Sequence, residues 1–588
     1  MKNANRIKAG AVLPVLLLAT LAGCNASKEK QIADTIVYSK IYTSNAKREY
    51  AEAFAVKDGK YIYVGSKEGA KDYIKEGKTK VVDKTGGFVM SGATEGHAHY
   101  ITSSVMMAKG FSKATTTIEE TVAFLKETKQ KNPSLALFLT NGWENLELKD
   151  AKETTDVRAL LDAVESEKPV IMVDNTGHNI FMNSKTIELA GIESMTDAQW
   201  SEMGGHVSRG EEGRLLGLAS DIAMNYVWNR VVKSVTFLTS DDFIEALDQC
   251  QENLHSQGYT SYVDGYASYF GDAAFKGIRD YDKSKGLKMV IEASYKIDPF
   301  EDVDANLKIV KNIKDTCTTS RFKPDNVKLF ADGECVESLS GWLLAPTHYK
   351  NGTTGTQVWQ DQAMYDVVRK ANAMGLNAHV HTSGDAACKQ AVDAMVKAEA
   401  TAQSGVRNSL AHCFAISEET RNLMAEHSIT ASIGLTWRVI PEYAPAQLQN
   451  DFDMDWFYKA YPMKSLMDKG INITCSTDYP ANSGGPTKVL DLLELAVSGK
   501  TSPEIFKGYG QMAFSSDEYL SVPEAIDMLT INGARQMGNQ ESRGSIEVGK
   551  YADFLLLGKD ISSISKSEIH DAGLEEVYFE GESVYQAE

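Results

Sequence analysis

Between about residues 88 and 535, short apolar runs alternate with longer stretches whose apolar residues recur at helical spacing. A short apolar run bounded by polar segments predicts a buried strand, and a longer amphipathic stretch predicts a helix. Strands that alternate with helices are typical of an α/β protein with a parallel sheet, either a barrel or a doubly wound sheet. The clearest strands are predicted at 169–174, 288–293 and 326–330, and the clearest helices at 361–375 and 385–400.

Both ends of the chain have a different pattern, in which short β-prone runs are separated by turn residues. Segments 34–90 and 536–588 therefore predict the two parts of one composite β-sandwich. The residues between them, 91–535, are left to form the α/β domain. Within it, the stretch from about 110 to 235 predicts an inserted subdomain, because it is too long for a simple connection. The β-prone runs of the two ends lie at 34–38, 53–56, 61–65, 552–557 and 576–581.

The first 23 residues resemble a bacterial lipoprotein signal peptide. A basic start is followed by an apolar run from 9 to 22, which is too short to span a membrane, and then by Leu-Ala-Gly before Cys24. This arrangement predicts that Cys24 is lipidated and that residues 1–23 are removed. An uncleaved anchor and an ordinary secretory signal are the alternatives. Lipidation predicts a protein of the bacterial cell envelope, held at the outer membrane and facing the periplasm, as Asn25 is compatible with that sorting.

Composition narrows the choice of partners. The net charge of −19 argues against a nucleic-acid surface, which needs clustered Lys and Arg, and against adhesion to anionic lipid other than through the lipid anchor. The six cysteines after Cys24 are widely spaced and include no Cys-x-x-Cys pair, so neither a disulfide framework nor a structural zinc site is predicted. A small molecule is the expected substrate, and a homodimer is the oligomer considered.

Histidine and aspartate at the ends of predicted strands carry the candidate chemistry. His97 and His99 are two residues apart, so a strand presents both imidazoles on one face. His381, His412 and Asp478 also follow or end apolar runs. A parallel barrel brings its reactive groups together at the C-terminal ends of its strands. This order of residues therefore favours a TIM-like (β/α)8 barrel over a doubly wound sheet, with a single assembled metal site.

The donor types suit zinc, which binds imidazole and carboxylate. These five residues exceed one tetrahedral set, and two interpretations follow. One ion takes four of them and Asp478 acts as a base, or two divalent ions share them with a bridging anion. Lys328, in the middle of an apolar strand, is the candidate bridge if carbon dioxide converts its amine into a carbamate. The alternative is a Lys328 amine that is paired with Asp332 or another acid.

Asp478 and His178 are the candidate catalytic residues. A carboxylate beside a metal-bound water can accept its proton and pass it to the leaving group, although Asp478 also fits a helix N-cap. His178 follows the strand predicted at 169–174 and has the chemistry to hydrogen-bond a substrate carbonyl or the oxyanion that develops from it. A structural role for His178 is the alternative.

Several motifs resemble those of the amidohydrolase superfamily, and within it the YtcJ-like proteins, or amidohydrolase family 3. The resemblance implies a metal-bearing barrel with a composite β-sandwich, hydrolysis of an amide-like C–N bond, and a role for His178 at the site. The matching segments are 92–99, 177–178, 182–184, 189–192, 204–217, 327–333, 381–386, 412, 476–480, 524–534 and 544–553.

The chain also departs from the family pattern. Ser91 stands where proline is usual and Glu95 where aspartate is usual, and both changes leave the candidate ligands intact. After Gly333 the chain continues with Glu334 and Cys335 instead of the common serine-rich sequence. Because this last change lies near the expected active-site face, the identity of the substrate cannot be carried over from the family.

The leading hypothesis is an amidohydrolase that uses a metal-activated hydroxide on an amide, formamide or cyclic amide. A metal-dependent esterase or lyase with the same site is a second hypothesis. A surface-bound lipoprotein that binds but has lost catalysis is the third, and the presence of all six candidate ligands argues against it.

Overall fold

The computed structural model describes residues 31–143, 155–174, 177, 179–232, 234–235, 237–336, 338–441, 445–481, 485–500, 509–510 and 514–587. The predicted lipidation site Cys24 and the candidate catalytic residue His178 both lie outside the described residues. Within the described ranges, no helix is long and apolar enough to cross a lipid bilayer.

Eight parallel strands form a nearly closed barrel, which confirms the predicted fold class. Each strand is hydrogen-bonded to the next one in chain order, and the first and eighth strands meet at the seam. Their residues are almost all buried, because the interior packs side chains from one face and the surrounding helices cover the other. The first to eighth barrel strands are Ala93–Ala98, Tyr259–Asp264, Val290–Lys296, Phe322–Phe330, Asn377–Thr382, Ser409–His412, Thr430–Gly434 and Ile473–Ser476.

Helices follow the strands, and their ends have recognisable sequence signals. The helix Ser240–Gln257 begins with a capping box between Thr239 and Asp242 and ends at Gly258, whose φ of 102° suits glycine. The α-helices on or between the barrel strands are Tyr100–Ala108, Ile222–Val232, Ser240–Gln257, Ala273–Ser284, Val303–Cys317, Asp361–Ala373, Asp385–Ala398, Glu418–Glu426, Pro445–Asp451, Met454–Phe457, Met463–Asp468, Val489–Ser498, Val522–Leu529 and Ile531–Gln536.

The two ends of the chain share one seven-stranded sheet. The strand Lys80–Ser91 joins them, since it pairs in parallel with Thr35–Tyr42 and antiparallel with Phe554–Leu557. Phe54 and Phe554, which come from opposite ends of the chain, pack edge to face with ring centroids 4.9 Å apart. In sheet order the strands are Glu582–Gln586, Leu574–Phe579, Phe554–Leu557, Lys80–Ser91, Thr35–Tyr42, Tyr50–Lys57 and Lys60–Gly65.

A six-stranded sheet lies in the chain between the first and second barrel strands. The stacked rings of Trp143 and Phe181, with centroids 4.1 Å apart, belong to its separate apolar core. Its α-helices are Ile118–Lys131, Val157–Asp162, Ser184–Ala190 and Asp197–Met203. In sheet order its strands are Gly205–Arg209, Leu215–Asp221, Asn179–Met182, Val170–Asp174, Phe138–Trp143 and Ser112–Thr115.

Candidate metal centre

The seam of the barrel brings the ends of the first and eighth strands together. The backbone N–H of Asp478 donates to the carbonyl of His97 at 3.0 Å, and the N–H of His99 donates to the carbonyl of Tyr479 at 2.7 Å. Gly96 makes this approach feasible, because a Cβ atom there would lie 2.6 Å from the carbonyl oxygen of Cys475. The two histidines of the first strand and the aspartate of the eighth are therefore placed side by side.

Glu95 stabilises the same seam from inside the barrel. Its buried Oε1 accepts the backbone N–H of His97 at 3.1 Å and that of Thr477 at 3.0 Å. Burial raises the pKa of Glu95 to about 8, although these two N–H groups oppose the shift. The glutamate that departs from the family pattern thus links the two strand ends that carry candidate ligands.

The Asp478 carboxylate is the centre of a first group of donors. Its Oδ1 lies 3.1 Å from Nε2 of His99 and 3.4 Å from Nε2 of His97, and its Oδ2 lies 3.9 Å from Nδ1 of His412. His97, His412 and Asp478 are buried, whereas the side chain of His99 is 21% exposed. The helix N-cap alternative for Asp478 does not apply, because the next helix of the described chain begins at Val489.

Two of these residues have an unusual backbone. His412 and Asp478 have φ angles of 73° and 55°, in the left-handed region that residues other than glycine rarely adopt. Such conformations persist where the surrounding structure holds them, and they cluster at functional sites. His412 ends the sixth barrel strand and Asp478 lies two residues beyond the eighth, so both belong to the turns that leave the C-terminal ends of the strands.

His379 holds His97 in place, and the sequence analysis missed this residue. Nε2 of His379 lies 2.6 Å from Nδ1 of His97, and Nδ1 of His379 lies 2.7 Å from Oγ of Ser409. With the proton on Nδ1 of both rings, His97 donates to His379 and His379 donates to Ser409. Nε2 of His97 then keeps its lone pair for a metal. The signal was present, because His379 and His381 lie in one strand with the same spacing of two residues as His97 and His99.

His381 and His412 belong to a second group of donors that also includes Glu334. Oε1 of Glu334 lies 3.3 Å from Nε2 of His381, and one donor atom from each of the three residues falls within 4.8 Å of the other two. Aromatic rings fix both imidazoles, since His381 stacks on Phe330 and His412 on Trp437, with ring centroids 4.7 and 5.0 Å apart. In the sequence, Glu334 stands out as a departure from the family pattern, but its segment gives no sign of a role.

Lys328 lies between the two groups of donors. Its Nζ is 3.4 Å from Nε2 of His97, and its side chain is completely buried. Burial lowers the pKa of Lys328 to about 7, and the charge of Lys296 lowers it further, while Asp478 and Glu334 act in the opposite direction. The lowered pKa favours the neutral Lys328 amine, which is the form that reacts with carbon dioxide.

Among the described residues no ion pair joins Lys328 to Asp332, and Asp478 and Glu334 are the acids whose charges act on the Lys328 amine. The Asp332 carboxylate instead accepts the backbone N–H groups of Trp342, Ser383 and Gly384, at 2.8, 3.0 and 2.7 Å. Asp332 thus fixes the loops that follow the fourth and fifth barrel strands.

The protonation states suit a cation. Burial lowers the pKa of His97 and of His412 well below the ordinary value, so both imidazoles are neutral and carry a free lone pair at neutral pH. Burial opposes ionisation of Asp478, but His412, the hydrogen bond with His99 and Lys328 together lower the pKa of its carboxyl. Nδ1 of His412 is buried without a hydrogen-bond partner among the described residues.

Neutral imidazoles, an ionised carboxylate and an unsatisfied buried nitrogen are the features that a divalent metal ion requires. Ligand atoms about 2.0–2.1 Å from a tetrahedral zinc ion lie roughly 3.3 Å apart, by geometry from those bond lengths. The Asp478 carboxylate lies 3.1 Å from His99 and 3.4 Å from His97, and both distances match that value. The distance of 3.3 Å between Glu334 and His381 matches it too. The residues present therefore fit a divalent metal centre.

The sequence from residue 80 to residue 585 matches the model of the amidohydrolase family. The chain belongs to this family. The YtcJ amidohydrolase of Bacillus subtilis strain 168 is 24% identical over 551 residues, which cover 93% of this chain and 98% of the relative. The N-substituted formamide deformylase of Arthrobacter pascens is 21% identical over 571 residues, covering 94% and 98% of the two chains.

Solved structures agree with this assignment at the level of the fold. An uncharacterised metal-dependent hydrolase from Pyrococcus horikoshii OT3 is 20% identical, with a TM-score of 0.68 over 90% of this chain and 99% of the other. Family membership and the donor groups together identify this amidohydrolase-family protein as a hydrolase that depends on a divalent metal.

Proposed function

We propose that this hydrolase cleaves an amide-like C–N bond of a small molecule. The observation that carries the proposal is the Asp478 carboxylate, which is buried and lies 3.1 and 3.4 Å from the imidazoles of His99 and His97. Hydrolysis of an amide needs a base for the attacking water and an acid for the leaving nitrogen, and one carboxylate can serve as both. The relative from Arthrobacter pascens, whose name describes deformylation of N-substituted formamides, supports this type of bond.

Zinc is the proposed metal, as one or two ions. His97, His99 and Asp478 would hold the first ion, and His381 and His412 with Lys328 would hold the second. A divalent ion bound by such donors supplies Lewis acidity, which makes water a nucleophile at neutral pH. Asp478 would accept a proton on a carboxylate oxygen and return it to the leaving nitrogen. His178 would donate a hydrogen bond to the substrate carbonyl oxygen.

A substrate screen tests the type of bond. Zinc-loaded protein is incubated with N-alkyl formamides, open-chain amides, hydantoins and the esters that match each acyl group, and the release of amine or alcohol is measured. We expect amine release from at least one amide-like class, and release that is about 10²–10⁴-fold slower from the same compounds with Asp478→Asn. Cleavage of esters alone by the metal-loaded protein would contradict the proposal and favour the esterase hypothesis.

We propose that Lys328 carries the bridge between the two ions as a carbamate. Its neutral amine would form a bond to the carbon of carbon dioxide and release a proton, which gives an anion between the two groups of donors. We expect Lys328→Ala to lose the second ion, and short-chain carboxylic acids to restore part of the binding. Metal content measured with and without added acetate checks this expectation.

Lys323→Ala is the matched control for Lys328→Ala. Lys323 lies in the same strand, away from the donors, where its Nζ donates to the carbonyl of Met537 at 2.9 Å. This variant should keep both ions. A high-resolution density map with a bare amine at Lys328 would rule out the carbamate.

We propose that Cys24 anchors the protein to the bacterial outer membrane, on its periplasmic side, through attached lipid. More than one acyl chain gives stable attachment, whereas a single chain does not. We expect Cys24→Ser to release the protein into the soluble fraction with an unchanged rate of hydrolysis, because the barrel is built from residues far along the chain. Cell fractionation and a rate measurement check both parts, and a variant that stays with the membrane would indicate an uncleaved helix.

A further inference from the structure

We propose that Glu334 is a ligand of the second metal ion, together with His381 and His412. The inference rests on the metal centre described above and is independent of which bond the enzyme cleaves. It adds a carboxylate to the ligands that the strand ends provide, and it explains why this chain has a glutamate at this place.

The distance between Glu334 and His381 fits two ligands of one ion better than it fits a direct ion pair. Their Oε1 and Nε2 atoms are 3.3 Å apart. A charge-assisted hydrogen bond between nitrogen and carboxylate oxygen is usually about 2.7–2.9 Å long. Two donor atoms on a tetrahedral zinc ion are separated by roughly 3.3 Å, from bond lengths of about 2.0–2.1 Å. The observed separation of Oε1 and Nε2 therefore matches that of two ligands bound to one ion.

The surrounding loop holds Glu334 toward the site. Its backbone carbonyl accepts the N–H groups of Ser340 and Gly341 at 2.9 and 3.0 Å, which closes the loop behind it. Its side chain is 9% exposed and lies within 3.5 Å of Oγ of Ser383, a residue that Asp332 also fixes. These contacts place the Glu334 carboxylate beside Ser383 and His381.

The chemistry of the second group of donors also calls for a carboxylate. Two imidazoles and one glutamate form a donor set that zinc uses in catalytic sites. Glu334, His381 and His412 supply this set, and all three residues are buried.

A zinc titration without substrate tests the inference. Protein stripped with a chelator is titrated with zinc, and the affinity and number of bound ions are measured for the wild type, Glu334→Gln and Glu419→Gln. Glu419 is an exposed glutamate in the helix Glu418–Glu426, so its variant has the same change of charge away from the site.

We expect the wild type and Glu419→Gln to bind two zinc ions, and Glu334→Gln to bind the first with unchanged affinity. The second ion should bind Glu334→Gln at least about tenfold more weakly, since loss of even an outer-shell partner costs about 10–100-fold. Glu334→Asp should recover part of the affinity because it keeps the carboxylate. If circular dichroism shows Glu334→Gln to be unfolded, the test uses Glu334→Asp and Glu334→Ser instead. Zinc affinities of these two variants are then compared in the same titration.

Equal binding of both ions by the wild type and Glu334→Gln would overturn the inference, and so would a wild type that binds a single ion. The titration uses zinc alone, so a failed amide screen leaves its result unchanged. Conversely, loss of the second ion in Glu334→Gln supports the inference whether the substrate is an amide or an ester.

Discussion

Replacing His97 with alanine is expected to remove bound metal and hydrolytic activity together. His97 lies 3.4 Å from the Asp478 carboxylate and 3.4 Å from the Lys328 amine, so it contacts both sides of the site. We expect a loss of turnover larger than the roughly 10–100-fold that removal of an outer-shell partner costs. Metal content by mass spectrometry and the rate on the best amide substrate are measured on the same preparation. His381→Ala should behave in the same way.

Two further histidines provide a graded comparison for this prediction. His379 supports the ligand His97 and is not itself a proposed ligand. His379→Ala should therefore cost about 10–100-fold in metal affinity or activity. His427 pairs with Glu399, away from the donors, so His427→Ala should leave metal content and turnover unchanged. Full metal occupancy in both His97→Ala and His381→Ala would contradict the assignment of these residues as ligands.

Asp478→Asn is expected to keep at least one ion and to lose about 10²–10⁴-fold in turnover, the range for a missing acid–base group. The asparagine keeps an oxygen near the metal but cannot accept the proton of the attacking water. Burial raises the pKa of the Asp478 carboxyl, but His412, the hydrogen bond with His99 and Lys328 together lower it, so the carboxylate is ionised at neutral pH and can accept a proton.

Metal content and turnover of Asp478→Asn are measured together, because the residue is both a proposed ligand and the proposed base. Near-normal turnover with metal bound would exclude the role in proton transfer. If all metal is lost, added zinc at saturating concentration restores occupancy, and the rate is then compared with that of the wild type at equal occupancy.

The sequence predicted the fold class because the signal was local and repeated. Apolar runs and amphipathic stretches alternate through the barrel, and the strand ends carry histidine or aspartate. Exact strand boundaries were harder to predict. The fourth barrel strand begins at Phe322 and not at 326, because the polar residues Lys323 and Asp325 interrupt the apolar run while the backbone still pairs with Val290–Lys296. Pairing with a neighbouring strand outweighs the side-chain pattern there.

The parts of the site that escaped prediction depend on contacts between distant residues. The meeting of His99 with Asp478, 379 residues away, is not one of these parts, because a closed barrel predicts it. His379 supports His97 from a different strand, and its role follows from the barrel interior rather than from its own segment. Glu334 lies in a loop whose path is set by the hydrogen bonds that the backbone N–H groups of Ser383 and Gly384 donate to Asp332. No periodicity in the sequence encodes such a path.

The dependence of amide hydrolysis on added metal tests the central claim most directly. Protein stripped with a chelator is titrated with zinc while amine release from the best substrate of the screen is followed. We predict that the stripped protein is inactive and that its rate rises with added zinc until one or two ions per chain are bound. Hydrolysis at the full rate by metal-free protein would contradict the account.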